Sequence, residues 1–217
     1  MATPTSPAVV VLCDFDGTAT RHTVINELLE TFADPDWQKL AEAWERREIT
    51  TPQGLPRCFD HVKATRTEME AFLDTIPLDP AFPDLVDFCR RKGHGFAVAS
   101  DGLSWYIRYI LAAHGIHDVT IYANEIEFEP QGFRLSFPWY SPTTPLRGTS
   151  KAAIIRRYQA SGAKVVFVGD GLTDIEAAPV ADLVYAKNGL LAHCRDQGIP
   201  AIPFSTLHDV LASWRDP

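Results

Sequence analysis

Two kinds of hydrophobic pattern alternate along the chain. Short continuous apolar runs, rich in β-branched residues, recur at Ala8–Cys13, Gly95–Ala99, Val119–Ala123, Lys164–Val168 and Asp182–Ala186. Such runs suit strands buried on both faces, as in parallel sheets. Between them, helical spacing predicts helices over Pro83–Lys92 (closed by Gly93), Leu103–His114 (stopped at Gly115) and Thr149–Ser161, with shorter ones near Leu190–Gln197 and Leu207–Trp214. Glu125–Glu129 and Phe133–Phe137, joined by Pro130-Gln131-Gly132, read as a β-hairpin. Strands alternating with helices predict an α/β fold, a Rossmann-like parallel sheet with right-handed crossovers.

Residues 21–78 break this alternation and carry helical spacing only. Helices are predicted over Val24–Phe32, Trp37–Arg47, Gln53–Ala64 and Thr67–Thr75. Thr20 or Thr23 can cap the first, and Thr50-Thr51-Pro52 reads as a cap followed by proline at the start of the third. Pro77, Pro80 and Pro83 mark a return linker. The expected organisation is a core of residues 1–20 and 79–217 with a small all-helical insert of residues 21–78 after the first strand.

Composition narrows the function. Hydrophobic residues make up 46% of the 217, enough for a sizeable core. The formal charge is −8 with no basic run, so nucleic acid is a poor partner, and a site for an anion needs local positive charge. The four cysteines form no C-x-x-C pair; Cys13 and Cys89 lie in apolar patterns and read as buried thiols. No apolar run approaches a membrane span, and Met1–Pro7 lack the features of a signal peptide, so no membrane association and a cytoplasmic location are expected.

The candidate chemistry gathers at strand ends. In open α/β sheets ligands bind outside the carboxyl ends of the strands. The first predicted strand ends in Asp14, Asp16, Gly17, Thr18 and Thr20, the second in Ser100-Asp101-Gly102, the fourth in Asp170 with Asp174 just beyond. Two carboxylates two residues apart suit a hard cation such as Mg2+, or make one of them a nucleophile. They also suit an ordinary acidic turn. Lys151, in the first turn of a helix, supplies positive charge. Together these residues fit phosphomonoester chemistry. Mg2+ can bridge Asp14, Asp170 and a phosphoryl oxygen. Ser100, Thr18 and the backbone near Gly17, Asp101 and Gly102 can bind the other phosphoryl oxygens. Asp16 can protonate the leaving alcohol and then activate water.

These four motifs, Asp14-Phe-Asp16-Gly-Thr18, Ser100, Lys151 and Gly-Asp170-Gly-Leu-Thr-Asp174, in this order, resemble those of the haloacid dehalogenase superfamily phosphatases. The resemblance implies Asp14 as nucleophile, Asp16 as acid and base, and Mg2+ held by Asp14, the backbone carbonyl of Asp16 and Asp170, with Asp174 supporting. The helical insert resembles the cap of the phosphoserine phosphatase branch. Asp36–Leu40, Gly54–Phe59 and Asp170–Ala178 are most similar to the methionine-salvage branch, which acts on 2-hydroxy-3-keto-5-methylthiopentenyl-1-phosphate. Three departures stand out. Thr23 occupies the position where phosphoserine phosphatases carry an acidic residue. Thr143–Ser150 lacks the cysteines of the methionine-salvage branch. Asp101 replaces the usual glycine after Ser100, which would bring an added carboxylate near the phosphate. Thr23, Arg57 and Trp105 are expected to set substrate specificity, with Tyr106 as a further candidate; a tryptophan such as Trp44 or Trp105 is more often core than pocket, and Trp139 and Tyr140 suit either the entrance or a dimer contact. The expected partner is a small phosphate ester and the expected state a monomer or homodimer. A phosphoserine phosphatase or a phosphomutase, and more remotely a non-catalytic binding protein on the same fold, are the alternatives.

Overall fold

A computed structural model describes residues 7–217. The reading of the first seven residues therefore falls largely on residues 1–6, outside the described ones. Among the described residues, seven strands form one sheet in the order β4-β3-β2-β1-β5-β6-β7. The strands are β1 (Val9–Cys13), β2 (Gly95–Leu103), β3 (Thr120–Glu129), β4 (Gly132–Ser136), β5 (Lys164–Gly169), β6 (Leu183–Ala186) and β7 (Ile202–Pro203). All neighbours pair in parallel except β3 and β4, which are antiparallel. The expected α/β architecture is the observed one.

Why the sheet is buried on both faces follows from the two-residue period of a strand. Val11 and Cys13 of β1 and Val166 and Val168 of β5 belong to one core, while Leu12, Val165 and Phe167 belong to a second. The first core packs α1 (Val24–Phe32), α3 (Thr51–Phe59), α5 (Phe82–Lys92), α6 (Ser104–Ala113) and α9 (Leu207–Ala212). The second packs α7 (Lys151–Ala160) and α8 (Asn188–Asp196). Helices α2 (Trp37–Glu45) and α4 (Arg66–Leu73) join the first core through Trp37, Met69 and Leu73 and complete the run of four between β1 and α5. That run leaves and rejoins the sheet at one place, where Thr20 and Leu78 form an isolated antiparallel bridge.

Three local expectations give way, and one strand carries no sequence signal. The second strand does not stop at Ala99, because β2 runs straight through Ser100-Asp101-Gly102 to Leu103, with a register shift against β3 between Ala99 and Leu103. The two segments Val119–Ala123 and Glu125–Glu129 are one strand, β3, which pairs first with β2 and then with β4. Helix α3 keeps its expected cap, with Thr50 and Gln53 forming a reciprocal capping box, but ends at Phe59 instead of Ala64. The chain beyond it pairs with the end of α1, Val62 bridging Ala33 and the Lys63 N–H donating to the Phe32 carbonyl at 2.9 Å. Strand β7, two residues long and one of them proline, lacks a periodic signal and is stabilised only as an edge.

Candidate active site

The site begins where β1 stops. The Asp14 N–H donates to the Val168 carbonyl at 2.8 Å, which fixes Asp14 at the junction of β1 and β5. The chain then turns on the Phe15 carbonyl, which accepts from the N–H groups of Thr18, Ala19 and Thr20. Gly17 makes this turn possible. Its φ is +77°, and a Cβ there would lie 2.6 Å from Oδ2 of Asp170, so the first and last acidic motifs approach each other across a glycine.

Lys151 is drawn into this junction from the start of α7, where Ser150 Oγ accepts from the Ala153 N–H. Its Nζ lies 2.6 Å from Oδ1 of Asp14 and 2.5 Å from Oδ1 of Asp174. Burial alone would lower the ammonium pKa, but Asp14 and Asp174 outweigh it and hold the group above its ordinary range. The other oxygen of Asp174 accepts from the N–H groups of Asp170 at 2.9 Å and Gly171 at 3.1 Å. Thr18 Oγ1 donates to Oδ1 of Asp170 at 3.1 Å. Carboxylate oxygens of Asp14, Asp170 and Asp174 all lie within 4.8 Å of one another. Burial, then the charge of Asp174, pushes both Asp14 and Asp170 upward, with Lys151 opposing. Three crowded carboxylates against one ammonium suit a hard divalent cation with oxygen ligands.

Asp16 is held differently. Its carboxylate stands outside the three-oxygen group and accepts from the Tyr106 hydroxyl and, at 3.0 Å, from the Val24 N–H. Burial raises its pKa to about 6, although both hydrogen bonds pull the other way. Tyr106 is itself raised well above its ordinary range by burial and by the Asp16 charge, so it remains a donor. A carboxyl group poised near neutrality suits proton transfer. The expected metal role of Asp16 rests on its backbone carbonyl.

A cavity of about 370 Å³ opens over these groups, lined by Asp14, Asp16, Ser100, Asp101 and Asp170 from the sheet edge. Thr23, Ile25, Trp37, Trp44 and Arg47 line it from the helical insert. Ser100 is buried, with its Oγ accepting from the Gly102 N–H at 3.0 Å. Gly102 allows β2 to pass close to Asp16 and Tyr106, since a Cβ there would overlap both side chains.

Several expected site residues lie elsewhere or act otherwise. Asp101 borders the cavity, but its carboxylate is occupied. Oδ1 accepts from the N–H groups of Gly148 at 2.8 Å and Thr149 at 2.9 Å, and from Asn124 at 3.3 Å, while Oδ2 accepts from the Thr51 hydroxyl at 2.6 Å. Arg57 is exposed on α3 and does not line the cavity; charge on a helix without a buried partner faces solvent. Trp105 packs edge-on against Phe128 and donates to Glu70 at 3.3 Å, also outside the cavity. Trp44, read as core, packs against the core and also lines the cavity. Trp139 packs against Tyr122, and Tyr140 is exposed; neither borders the cavity. Sequence reasoning missed Arg147, which is buried beside the cavity, and the partners of Asp101, Thr51 and Asn124. Arg147 stands four residues before Lys151, and that spacing is the only sequence signal for it.

A family model described as haloacid dehalogenase-like hydrolase matches residues 11–179 of this chain. A 2-hydroxy-3-keto-5-methylthiopentenyl-1-phosphate phosphatase of Brevibacillus brevis is 30% identical over 212 residues, covering 95% of both chains. One from an Exiguobacterium species is 30% identical over 206 residues, covering 93% of this chain and 95% of the relative. Among solved structures, a phospho-aspartyl intermediate analogue of phosphoserine phosphatase superposes with a TM-score of 0.71 at 18% identity, covering 97% of this chain and 100% of the other. A substrate-bound phosphoserine phosphatase gives 0.70 at 18% identity, covering 95% and 98%. At that identity the structural likeness speaks for the fold alone.

Proposed function

This chain belongs to the haloacid dehalogenase-like hydrolase family and is a phosphatase; from that premise we propose that it hydrolyses a small phosphate ester in two steps through Asp14. The observation that carries this reading is the clamp of Lys151 between Asp14 and Asp174 at the carboxyl edge of the sheet. In the first step an Asp14 oxygen attacks phosphorus and the bond to the alcohol oxygen breaks. Asp16, protonated, gives its proton to the departing oxygen, and the Tyr106 hydroxyl and Val24 N–H keep that carboxyl in place. In the second step the Asp16 carboxylate takes a proton from water as the water attacks phosphorus. Phosphate leaves and Asp14 is restored. Lys151 and Ser100 hold phosphoryl oxygens throughout. Asp14 and Asp170, with Asp174 behind them, would hold Mg2+, which when bound offsets negative charge so that an anionic nucleophile can meet an anionic ester.

The substrate suggested by the relatives is 2-hydroxy-3-keto-5-methylthiopentenyl-1-phosphate. Ile25, Trp37, Ala41 and Trp44 give the cavity an apolar wall suited to a thioether tail. Phosphoserine is the second reading, favoured by Glu30 and Arg47, opposite charges that both border the cavity. In either case the insert of residues 21–78 would act as a cap over a core of residues 79–217 and the first strand, opening for substrate and closing against water. A reducing compartment, the cytoplasm, fits the four buried free thiols. Burial raises Cys58 to about 11 and Cys89 to about 12, which makes these thiols unreactive.

Phosphate release from phenyl phosphate, with and without Mg2+, tests the chemistry. Wild type is expected to turn over only with Mg2+, and Asp14→Asn to lower kcat by about a thousandfold or more. Undiminished turnover in Asp14→Asn would remove Asp14 as nucleophile.

A further inference from the structure

Arg147 has a role that the two-step chemistry does not use. It is 7% exposed, yet it lines the catalytic cavity. A buried guanidinium is costly unless its charge and its five donors are matched. Here the matching is incomplete. Nη2 donates to the Leu172 carbonyl at 2.7 Å. Nε has no hydrogen-bond partner, and its nearest carboxylate, Oε2 of the part-exposed Glu176, is 3.5 Å away. A charge-assisted bond of full strength is 2.7–2.9 Å long.

Its polar partners, the Leu172 carbonyl and Glu176, are not the residues assigned to the phosphoryl group. Asp14 and Ser100, which line the cavity, are nearly inaccessible, as is Lys151 against Asp14. Arg147 is tied instead to the backbone carbonyl of Leu172, a residue that is 52% exposed and also borders the cavity. With the phosphoryl group held at Asp14, Ser100 and Lys151, a guanidinium elsewhere in the lining is left for the alcohol portion of the ester. The insert adds Ile25, Trp37, Ala41 and Trp44 as an apolar part of the lining, beside the charged Glu30 and Arg47.

Resting on the phosphatase reading above, we infer that Arg147 determines specificity by binding an oxygen acceptor, a carbonyl or carboxylate, carried by the alcohol portion close to the phosphoester. The preferred substrates are then esters with an oxygenated carbon next to the phosphate and an apolar far end against the two tryptophans. The guanidinium selects the alcohol and leaves bond-breaking to Asp14 and Asp16.

The test compares wild type, Arg147→Met and Arg147→Lys on three esters with Mg2+ present. These are acetol phosphate (a ketone beside the ester), phosphoglycolate (a carboxylate there) and phenyl phosphate (neither). Arg147→Met is expected to lower kcat/KM for at least one oxygenated ester by about 10- to 100-fold, the usual worth of a hydrogen bond to a charged group, and chiefly through KM. Phenyl phosphate is expected to change by less than about threefold, the spread that uncoupled sites show. Arg147→Lys keeps the charge and loses the fork, so it falls between wild type and Arg147→Met; it also carries the test alone if the methionine variant does not fold. An equal loss on all three esters would assign Arg147 to the phosphoryl group and overturn the inference. An unchanged ratio between oxygenated esters and phenyl phosphate would overturn it too. Failure of the underlying reading looks different, since wild type would then turn over none of the three, and the inference would fall with it.

Discussion

Asp16 shows how one residue's surroundings set its chemistry. Asp14 and Asp16 share a sequence motif, yet Asp14 meets an ammonium group and Asp16 meets a phenol and an amide. Burial lifts Asp16 from 3.8 to about 6, and this has a consequence for stability. A folded-state pKa above the unfolded one favours the folded state while the group is protonated. Its contribution is therefore full below pH 4 and is lost as pH rises through about 6. Asp16→Asn removes the slope and keeps both partners, accepting from Val24 and donating to the Tyr106 oxygen. In urea unfolding without Mg2+, the variant should exceed wild type by about 2–3 kcal/mol at pH 8 and match it near pH 4. A constant difference across that range would contradict the assigned shift.

At the scale of elements, Asp101 explains why β2 does not turn where its sequence suggests. Its carboxylate gathers four donors from three other stretches of chain: Thr51 at the start of α3, Asn124 in β3, and the Gly148–Thr149 backbone before α7. Asn124 also donates to the Asp101 carbonyl at 2.6 Å, so backbone and side chain are held together. The insert is thus fastened to the strand that carries Ser100, and the loop leading to Lys151 is fixed by the same group. Asp101→Ala would leave these buried donors unmatched, and each such group costs about 1–3 kcal/mol. A loss of about 3 kcal/mol or more is expected in denaturant unfolding, against about 1.5–3 kcal/mol for Thr51→Val, which removes one donor to a charged acceptor. Equal losses in the two variants would show that the insert contact alone matters.

Across the whole molecule, the sheet order brings together residues from both ends of the chain. Strands β1, β2 and β5 are neighbours, so Asp14, Ser100 and Asp170 meet at one edge although 86 and 70 residues separate them in turn. The acidic group proposed to hold Mg2+ is assembled there only on folding, so binding of the ion would be coupled to folding. Mg2+ at about a hundred times its Kd should stabilise the protein by about 2.7 kcal/mol, raising Tm by about 5–10 °C. Asp170→Asn should abolish most of that shift in a thermal melt. A shift retained in full would place the metal elsewhere.

The sequence by itself determined the fold class, most of the elements and the four polar motifs. Each of these is written locally: two-residue and helical periods record burial, caps and prolines record helix ends, and acidic turns stand where apolar runs stop. Thr50-Thr51-Pro52 at the start of α3 is legible for this reason. What lay beyond local reading depends on partners distant in the chain. Asp-Gly after Ser100 looks like a turn because the four donors that straighten it are 23 to 50 residues away. Arg57 and Arg147 look alike as arginines, and only the packing of α3 and of the loop before α7 leaves one in solvent and buries the other beside the cavity. Trp44 and Trp105 are equally ambiguous, since a helical period tells which face is covered but not whether protein or a cavity covers it. Only the tertiary structure decided those positions, because long-range contacts, unlike periodicity, leave no mark on the residues next to them.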